Sequence, residues 1–148
     1  MPYTLIPTSW HDNRDSLSQV RCRVFIEEQH VPRELEWDEF DQSSFHVLAQ
    51  DDRQQPIGTG RLKPDGQIGR MAVIPEYRNQ GVGSAILAEL LRHAESLQLE
   101  QVYLHAQTSA IAFYEKHGFE VCSDEFIDAG IPHRTMKIQL NSGDRREP

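Results

Sequence analysis

The sequence is short of cysteine, of cationic charge and of long apolar runs, and each shortage excludes something. Cys22 and Cys122 are the only cysteines among 148 residues and form no Cys-x-x-Cys pair, so neither a disulfide-stapled scaffold nor a zinc knuckle is expected. Reduced, mostly buried thiols are. Fifteen Lys and Arg face twenty-three Asp and Glu, a formal charge of -8. That balance argues against a broad phosphate-backbone footprint on nucleic acid and more easily accommodates a cationic partner. No apolar run approaches the roughly 20 residues that a membrane-spanning helix needs. The opening residues 1–10 also lack the basic flank and greasy segment of an export signal, so a soluble, cytoplasmic protein is expected.

What is present suits one folded domain. Hydrophobic residues make up 38% and charged residues 26% of the chain, enough to bury a single core. A domain over 1–140 is expected, followed by a polar, frayed tail over 141–148. Leu17, Val20, Val24 and Phe25 recur at helical spacing and predict an amphipathic helix over 15–29, stopping short of Pro32. Short β-prone runs over 45–50, 57–63 and 67–74 predict three hairpin-linked strands. The apolar face of Ile86, Leu87, Leu90, Leu91, Ala94 and Leu97 predicts a long helix over 81–97 packed on a sheet. A buried strand over 101–106 follows. Ser109 is the expected N-cap of a short helix through Lys116, which Gly118 stops. Strands over 120–127 and 133–140 complete a mixed α/β order without the regular alternation of a doubly wound fold.

Between a strand and the long helix lies Arg78-Asn79-Gln80-Gly81-Val82-Gly83-Ser84. A helix start presents unpaired N-H groups and the positive end of the dipole, and Gly81 and Gly83 let an anion approach them. One such charge contact is worth only about 0.3–1 kcal/mol when exposed, so a diphosphate that engages several amides and Arg78 is the fitting ligand. A Walker loop would need Lys before Ser84, and a dinucleotide fingerprint would need glycine where Ile86 stands. A tight turn into a helix with no ligand is the alternative reading of the glycines.

Met71-Ala72-Val73 leading into Arg78-x-x-Gly81-x-Gly83, then Ala106-Gln107 and Ala112-Phe113-Tyr114-Glu115-Lys116-His117-Gly118-Phe119, resemble the GNAT superfamily of acetyl-CoA-dependent N-acetyltransferases. Val24-Phe25-Ile26-Glu27-Glu28-Gln29 and Gly130-Ile131-Pro132-His133 are similar to its ElaA-type branch. The resemblance implies a mixed α+β fold: a central, mostly antiparallel sheet flanked by helices, with two parallel strands, here 67–74 and 101–106, splayed to admit the coenzyme. It places Met71, Ala72 and Val73 beside the thioester, with the Val73 N-H as oxyanion donor. Arg78, Asn79, Gln80, Gly81, Val82, Gly83 and Ser84 would wrap the pyrophosphate, with Gln107 and Phe113 also on the coenzyme. Gln107 stands where many members have Asn. A homodimer is compatible with the family and demanded by no residue here.

The chemistry so implied is acetyl transfer to a primary amine of a small molecule or a protein, an acceptor that an acidic chain could draw in as a cation. An alkylamine with a pKa of about 10.4 must lose a proton worth roughly 4–5 kcal/mol at pH 7 before it attacks. Glu28 and His133 are the candidate bases, although a helical Glu is usually solvated and a lone His usually structural. Tyr114 matches the family's acid position; packing beside Phe113 is its other reading. The remaining histidines show no metal-ligand spacing, and no metal is expected. The acidic run over 34–41 is either a solvated loop or a lip for a protonated amine, walled by Trp37 or Phe40. A coenzyme-binding module without turnover is the competing function.

Overall fold

The computed structural model describes residues 2–35 and 37–140; the expected tail over 141–148 lies outside them. In chain order the elements are β1 (Tyr3–Thr8), α1 (Trp10–Arg21) continuing as a π-helical segment (Cys22–Glu28), β2 (Phe45–Asp51), β3 (Pro56–Leu62), β4 (Gln67–Val73), α2 (Val82–Ser96), β5 (Gln101–Gln107), α3 (Ile111–Lys116), β6 (Glu120–Val121), β7 (Phe126–Asp128) and β8 (Ile131–Gln139). Short 3-10 turns occupy Arg33–Leu35, Glu39–Asp41, Pro75–Tyr77 and Thr108–Ala110. The sheet runs β1-β2-β3-β4-β5-β8-β6, with β7 also against β8. All pairs are antiparallel except β4 with β5. This is the mixed α+β architecture the sequence implies.

Several boundaries differ from the sequence reading. β1 was not expected; it lies at the sheet edge, where Pro7, opposite Val47, need not donate to a second neighbour. α1 begins at Trp10, because the Ser9 hydroxyl accepts the Asp12 N-H at 3.1 Å and caps it. The run 120–127 is two short strands instead of one. Ser109 lies inside a 3-10 turn, and α3 starts after Ala110 with no side-chain cap. Gly118 ends α3 as expected, at φ +95°. Cys22 is half-buried and Cys122 exposed, against the expectation of mostly buried thiols.

The core lies mainly where Val82, Ile86, Leu87, Leu90 and Ala94 of α2 meet Val47, Ile57, Leu62, Ile68, Val102, Leu104 and Met136 of the sheet. Gly60 of β3 admits α2 at close range. A Cβ there would stand 2.7 Å from Ile86 Cγ2 and 2.9 Å from both Leu90 Cδ1 and Met71 Sδ. Gly60→Ala is therefore expected to destabilise by about 1–3 kcal/mol through overpacking; an unchanged urea midpoint would contradict that.

Opposite Gly60, β4 carries a bulge. Thr59 pairs with Ala72 and Arg61 with Gly69, so Arg70 and Met71 together face one glycine. Arg70 takes φ +53°, unusual for a side chain of its size. A bulge bends its strand and strengthens the local twist, which turns the second half of β4 away from β5. The parallel pairing is accordingly confined to Gln67 with Tyr103 and Ile68 with Leu104. Beyond those pairs the sheet is open.

On the α1 face the acidic run meets buried cations. Arg21, fully buried, bonds both Asp41 carboxylate oxygens at 2.9 and 3.1 Å. Its guanidinium lies 4.9 Å from the Trp10 ring centroid. Arg61 reaches Asp38 at 2.8 Å and Asp41 at 2.9 Å, and Arg70 reaches Asp38 at 3.3 Å. Burial alone would push the Asp41 carboxyl up, but the Arg21 and Arg61 bonds and charges leave it below the ordinary value. His46, buried and held through Nε2 to the Asp41 carbonyl at 2.9 Å, is pushed down by burial. Asp38 and Asp41 thus belong neither to a solvated loop nor to a substrate lip; they neutralise guanidinium groups. Glu34 and Glu39 are exposed, and Glu36 lies outside the described residues. Phe40 receives the Lys63 ammonium 4.0 Å from its ring centroid, and Trp37 is exposed.

Candidate active site

The opening between β4 and β5 is a cleft of about 700 Å³. Met71, Ala72 and Val73 line one wall, Gln107 and Tyr114 the other, with Arg78 and His133 also on its surface. One backbone group is aimed by the ladder itself. Ile74 N-H donates to the Ile57 carbonyl at 3.0 Å; alternation along the strand then turns the N-H and C=O of Val73 away from β3, toward the opening. The Val73 carbonyl accepts Arg78 Nε at 2.8 Å.

Arg78 is exposed but already paired. Its Nη1 and Nη2 form a two-pronged pair with Glu28 at 2.8 and 2.6 Å. The Arg78 hydrogen bond holds the Glu28 carboxyl below its ordinary value, and Glu28 raises Arg78 in turn. Two residues read separately from sequence, one as a base and one as a phosphate cation, are therefore each other's partner. Glu28 does not line the cleft. A carboxylate lowered by an arginine is a poorer base than an ordinary one.

The glycine loop leads from the cleft into α2. Asn79 and Gly81 take φ +62° and +85°, and Gly81 is the left-handed N-cap. The first helical bond is Ala85 N-H to the Gly81 carbonyl at 3.0 Å, leaving the amides of Val82, Gly83 and Ser84 ahead of the ladder. Gln80 binds back to the Glu76 carbonyl at 3.1 Å. Phe113 packs at Gly83, where a Cβ would lie 3.5 Å from its Cζ; it sits at the α2–α3 junction and does not line the cleft.

Tyr114 is nearly buried, with its ring edge-on to Phe113 and Phe119 at 5.1 and 5.8 Å. Burial pushes its hydroxyl up to about 12. Its hydroxyl has no hydrogen-bond partner among the described residues. His133 is also nearly buried and stacks on Phe126 at 5.9 Å. Its Nδ1 lies 2.7 Å from the Ile131 carbonyl. A carbonyl only accepts, so Nδ1 carries the proton and Nε2 of the neutral ring is left as an acceptor.

Among the cleft residues that the sequence reading did not assign to the site are Gln29, Arg70, His105 and Asp128. Gln29 and Gln107 exchange side-chain amide bonds at 2.9 and 3.5 Å, so the longer arm of Gln107 spans to the end of the first helical segment. His105 sits two residues before Gln107 on β5, a period-2 signal that puts both on one face. Burial lowers its pKa, and Asp128 opposes that effect. Arg70 enters through the bulge, which no local pattern announces.

A sheet opened between two parallel strands, with a free helix terminus beside the opening, defines an acyl-coenzyme A transferase cleft. The model of the acetyltransferase (GNAT) domain family matches residues 13–140, and the chain belongs to that family, in its ElaA-type branch: it is an N-acetyltransferase. Bacillus subtilis YjcF, an uncharacterized N-acetyltransferase, is 41% identical over 121 residues, covering 79% of this chain and 86% of that protein. Escherichia coli ElaA is 29% identical over 132 residues, 84% of this chain and 86% of ElaA. The crystal structure of an acyl-CoA N-acyltransferase from Pseudomonas aeruginosa superposes with a TM-score of 0.82 at 29% identity, covering 93% of this chain and 99% of that one. Among the described residues no helix is long and apolar enough to cross a membrane.

Proposed function

We propose that the protein transfers the acetyl group of acetyl-CoA to a primary amine by direct attack, with Tyr114 as acid and His133 as base. The observation that carries this reading is the unpaired half of β4: Val73 presents its N-H to a gap that also holds Tyr114 and His133. The pantetheine arm would lie along Met71, Ala72 and Val73, and the pyrophosphate on the amides of Val82, Gly83 and Ser84. Arg78 secures the loop by holding Val73 and Glu28, and contributes less net charge to the phosphates than an unpaired cation would.

The amine reaches the cleft as an ammonium, and Asp128 is a wall carboxylate of the right sign to receive it. His133 Nε2 takes its proton, directly or through water. The free nitrogen attacks the thioester carbon and Val73 N-H stabilises the developing oxyanion; as the C–S bond breaks, the thiolate departs with a hydrogen bond from Tyr114, and the second proton of the now cationic nitrogen passes, through Tyr114 or water, to the departing sulfur. A phenol at about 10 would transfer its proton to a thiolate at about 8.5 for roughly 2 kcal/mol. With the hydroxyl at about 12 the same step costs about 5 kcal/mol. Tyr114 therefore acts mainly by donating its hydrogen bond while sulfur charge builds, with full transfer late.

Free thiol should appear when acetyl-CoA is mixed with the protein and a panel of small amines, and acetyl-amine should form in equal amount. Coenzyme binding without turnover on any amine or peptide acceptor would favour the sensing module instead.

A further inference from the structure

We propose that the acceptor is a zwitterion, a primary amine that also carries a carboxylate, and that Arg70 receives the carboxylate on the cleft wall opposite His133. This rests on the acetyl-transfer reading of the cleft and names the class of amine it serves. Arg70 and Met71 form the bulge where β4 leaves β5. Arg70 holds φ +53° there, an unfavourable conformation for a long side chain and one that recurs where a residue clamps a ligand. Of the three arginines bonded to Asp38 and Asp41, it is the one that lines the cleft. The side chains of Arg21 and Arg61 are 0% and 5% exposed, whereas that of Arg70 keeps 25%.

Strand register sets the two ends of the ligand apart. Ile68 pairs with Leu104, so Arg70 comes level with the 106–107 step of β5, and Gln107 pairs with His133. β5 is the single strand between β4 and β8, which puts the Arg70 and His133 backbones about 10 Å apart, and more where the strands splay. Asp128 lies on the His133 side, on β7, and also lines the cleft. One wall thus carries an anion and a base for the amine, and the other carries a cation. A chain of a few carbons with an ammonium at one end and a carboxylate at the other fits that order.

Anchoring makes Arg70 a good receptor. Its Nη2 donates to Asp38 at 3.3 Å, and Asp38 also takes Arg61 at 2.8 Å. The guanidinium is held in place, and its planar fork suits a second carboxylate. Burial, together with the charges of Arg61 and Arg21, lowers the Arg70 pKa despite Asp38 and Asp41; an arriving anion relieves that crowding of like charge. A zwitterion bears no net charge, so the formal -8 of the chain does not repel it.

The test offers glycine, β-alanine, 4-aminobutyrate and 6-aminohexanoate as acceptors with acetyl-CoA, each beside its carboxamide, which keeps the amine and removes the negative charge. For the best-used length, kcat/KM for the acid should exceed that for the amide by about 10- to 100-fold in wild type, the range of a charge-assisted pair. Arg70→Gln should bring that ratio to within about 3-fold of unity, and Arg70→Lys should keep part of it. Differences in amine basicity cancel when the ratio is compared between proteins. A merely structural role would lower acid and amide together and leave the ratio in place, which overturns the proposal. Equal use of acid and amide by wild type overturns it without any variant, whether or not Arg70→Gln folds. Turnover of simple amines with none of the acids accepted overturns this inference alone. No thiol release with any amine overturns the acetyl-transfer reading, and this inference with it.

Discussion

Asp41→Asn is expected to remove about 3–5 kcal/mol of folding stability, the cost of taking the charge from one side of a buried ion pair. Asp41 is fully buried and takes hydrogen bonds from both Arg21 and Arg61, neither of which reaches solvent. The amide keeps the shape and loses the charge that Arg21 and Arg61 share, while Asp38 stays bonded to Arg61 and Arg70. Against a total of about 5–15 kcal/mol for a typical domain, that is close to unfolding. The pH dependence has a definite sign. Asp41 and Asp38 are both held below the ordinary carboxylate value. Their contribution is full above the unfolded value, near pH 4, and disappears as pH falls through the lower folded values. Wild type should lose stability steeply below about pH 4, and Asp41→Asn should lose less there because part of the effect is already gone. Urea unfolding across acid pH measures both; a loss under about 1 kcal/mol would place the cluster with ordinary surface pairs.

Tyr114→Phe should lower kcat by about 10²- to 10⁴-fold while KM for acetyl-CoA changes little. The substitution keeps the ring between Phe113 and Phe119 and removes only the hydroxyl that lines the cleft. Because burial holds that hydroxyl up to about 12, the wild-type profile should show no fall near pH 10 from its ionisation. A variant with near-normal kcat would assign Tyr114 to packing, and an alkaline limb present in wild type but absent from Tyr114→Phe would show that the hydroxyl ionises earlier.

Legibility followed the range of the forces involved. β2, β3, β4, α2 and β5 were readable because their periodicity is written in adjacent residues: Ile86, Leu87, Leu90 and Ala94 describe a buried face whatever they meet. β1 carries Pro7 and takes its identity from pairing with β2 some 40 residues on, so its own sequence had little to announce. The break between β6 and β7 likewise reflects two different stretches of β8: Glu120 faces Lys137, while Phe126 faces His133. Asp38 and Asp41 looked like a solvated acidic run because the cations that bury them come from α1, β3 and β4.

The sequence alone determined the glycine-rich approach to α2, the aromatic run that includes Tyr114 and the histidine after Gly-Ile-Pro, since each is a local matter of residue type and spacing. Only the tertiary structure decided that the sheet opens at the Arg70–Met71 bulge, that Glu28 is bound to Arg78, and that Arg70 shares the cleft with His133. Those outcomes depend on strand register and on charges meeting across tens of residues, where the energy belongs to the pair and neither partner's neighbourhood encodes it.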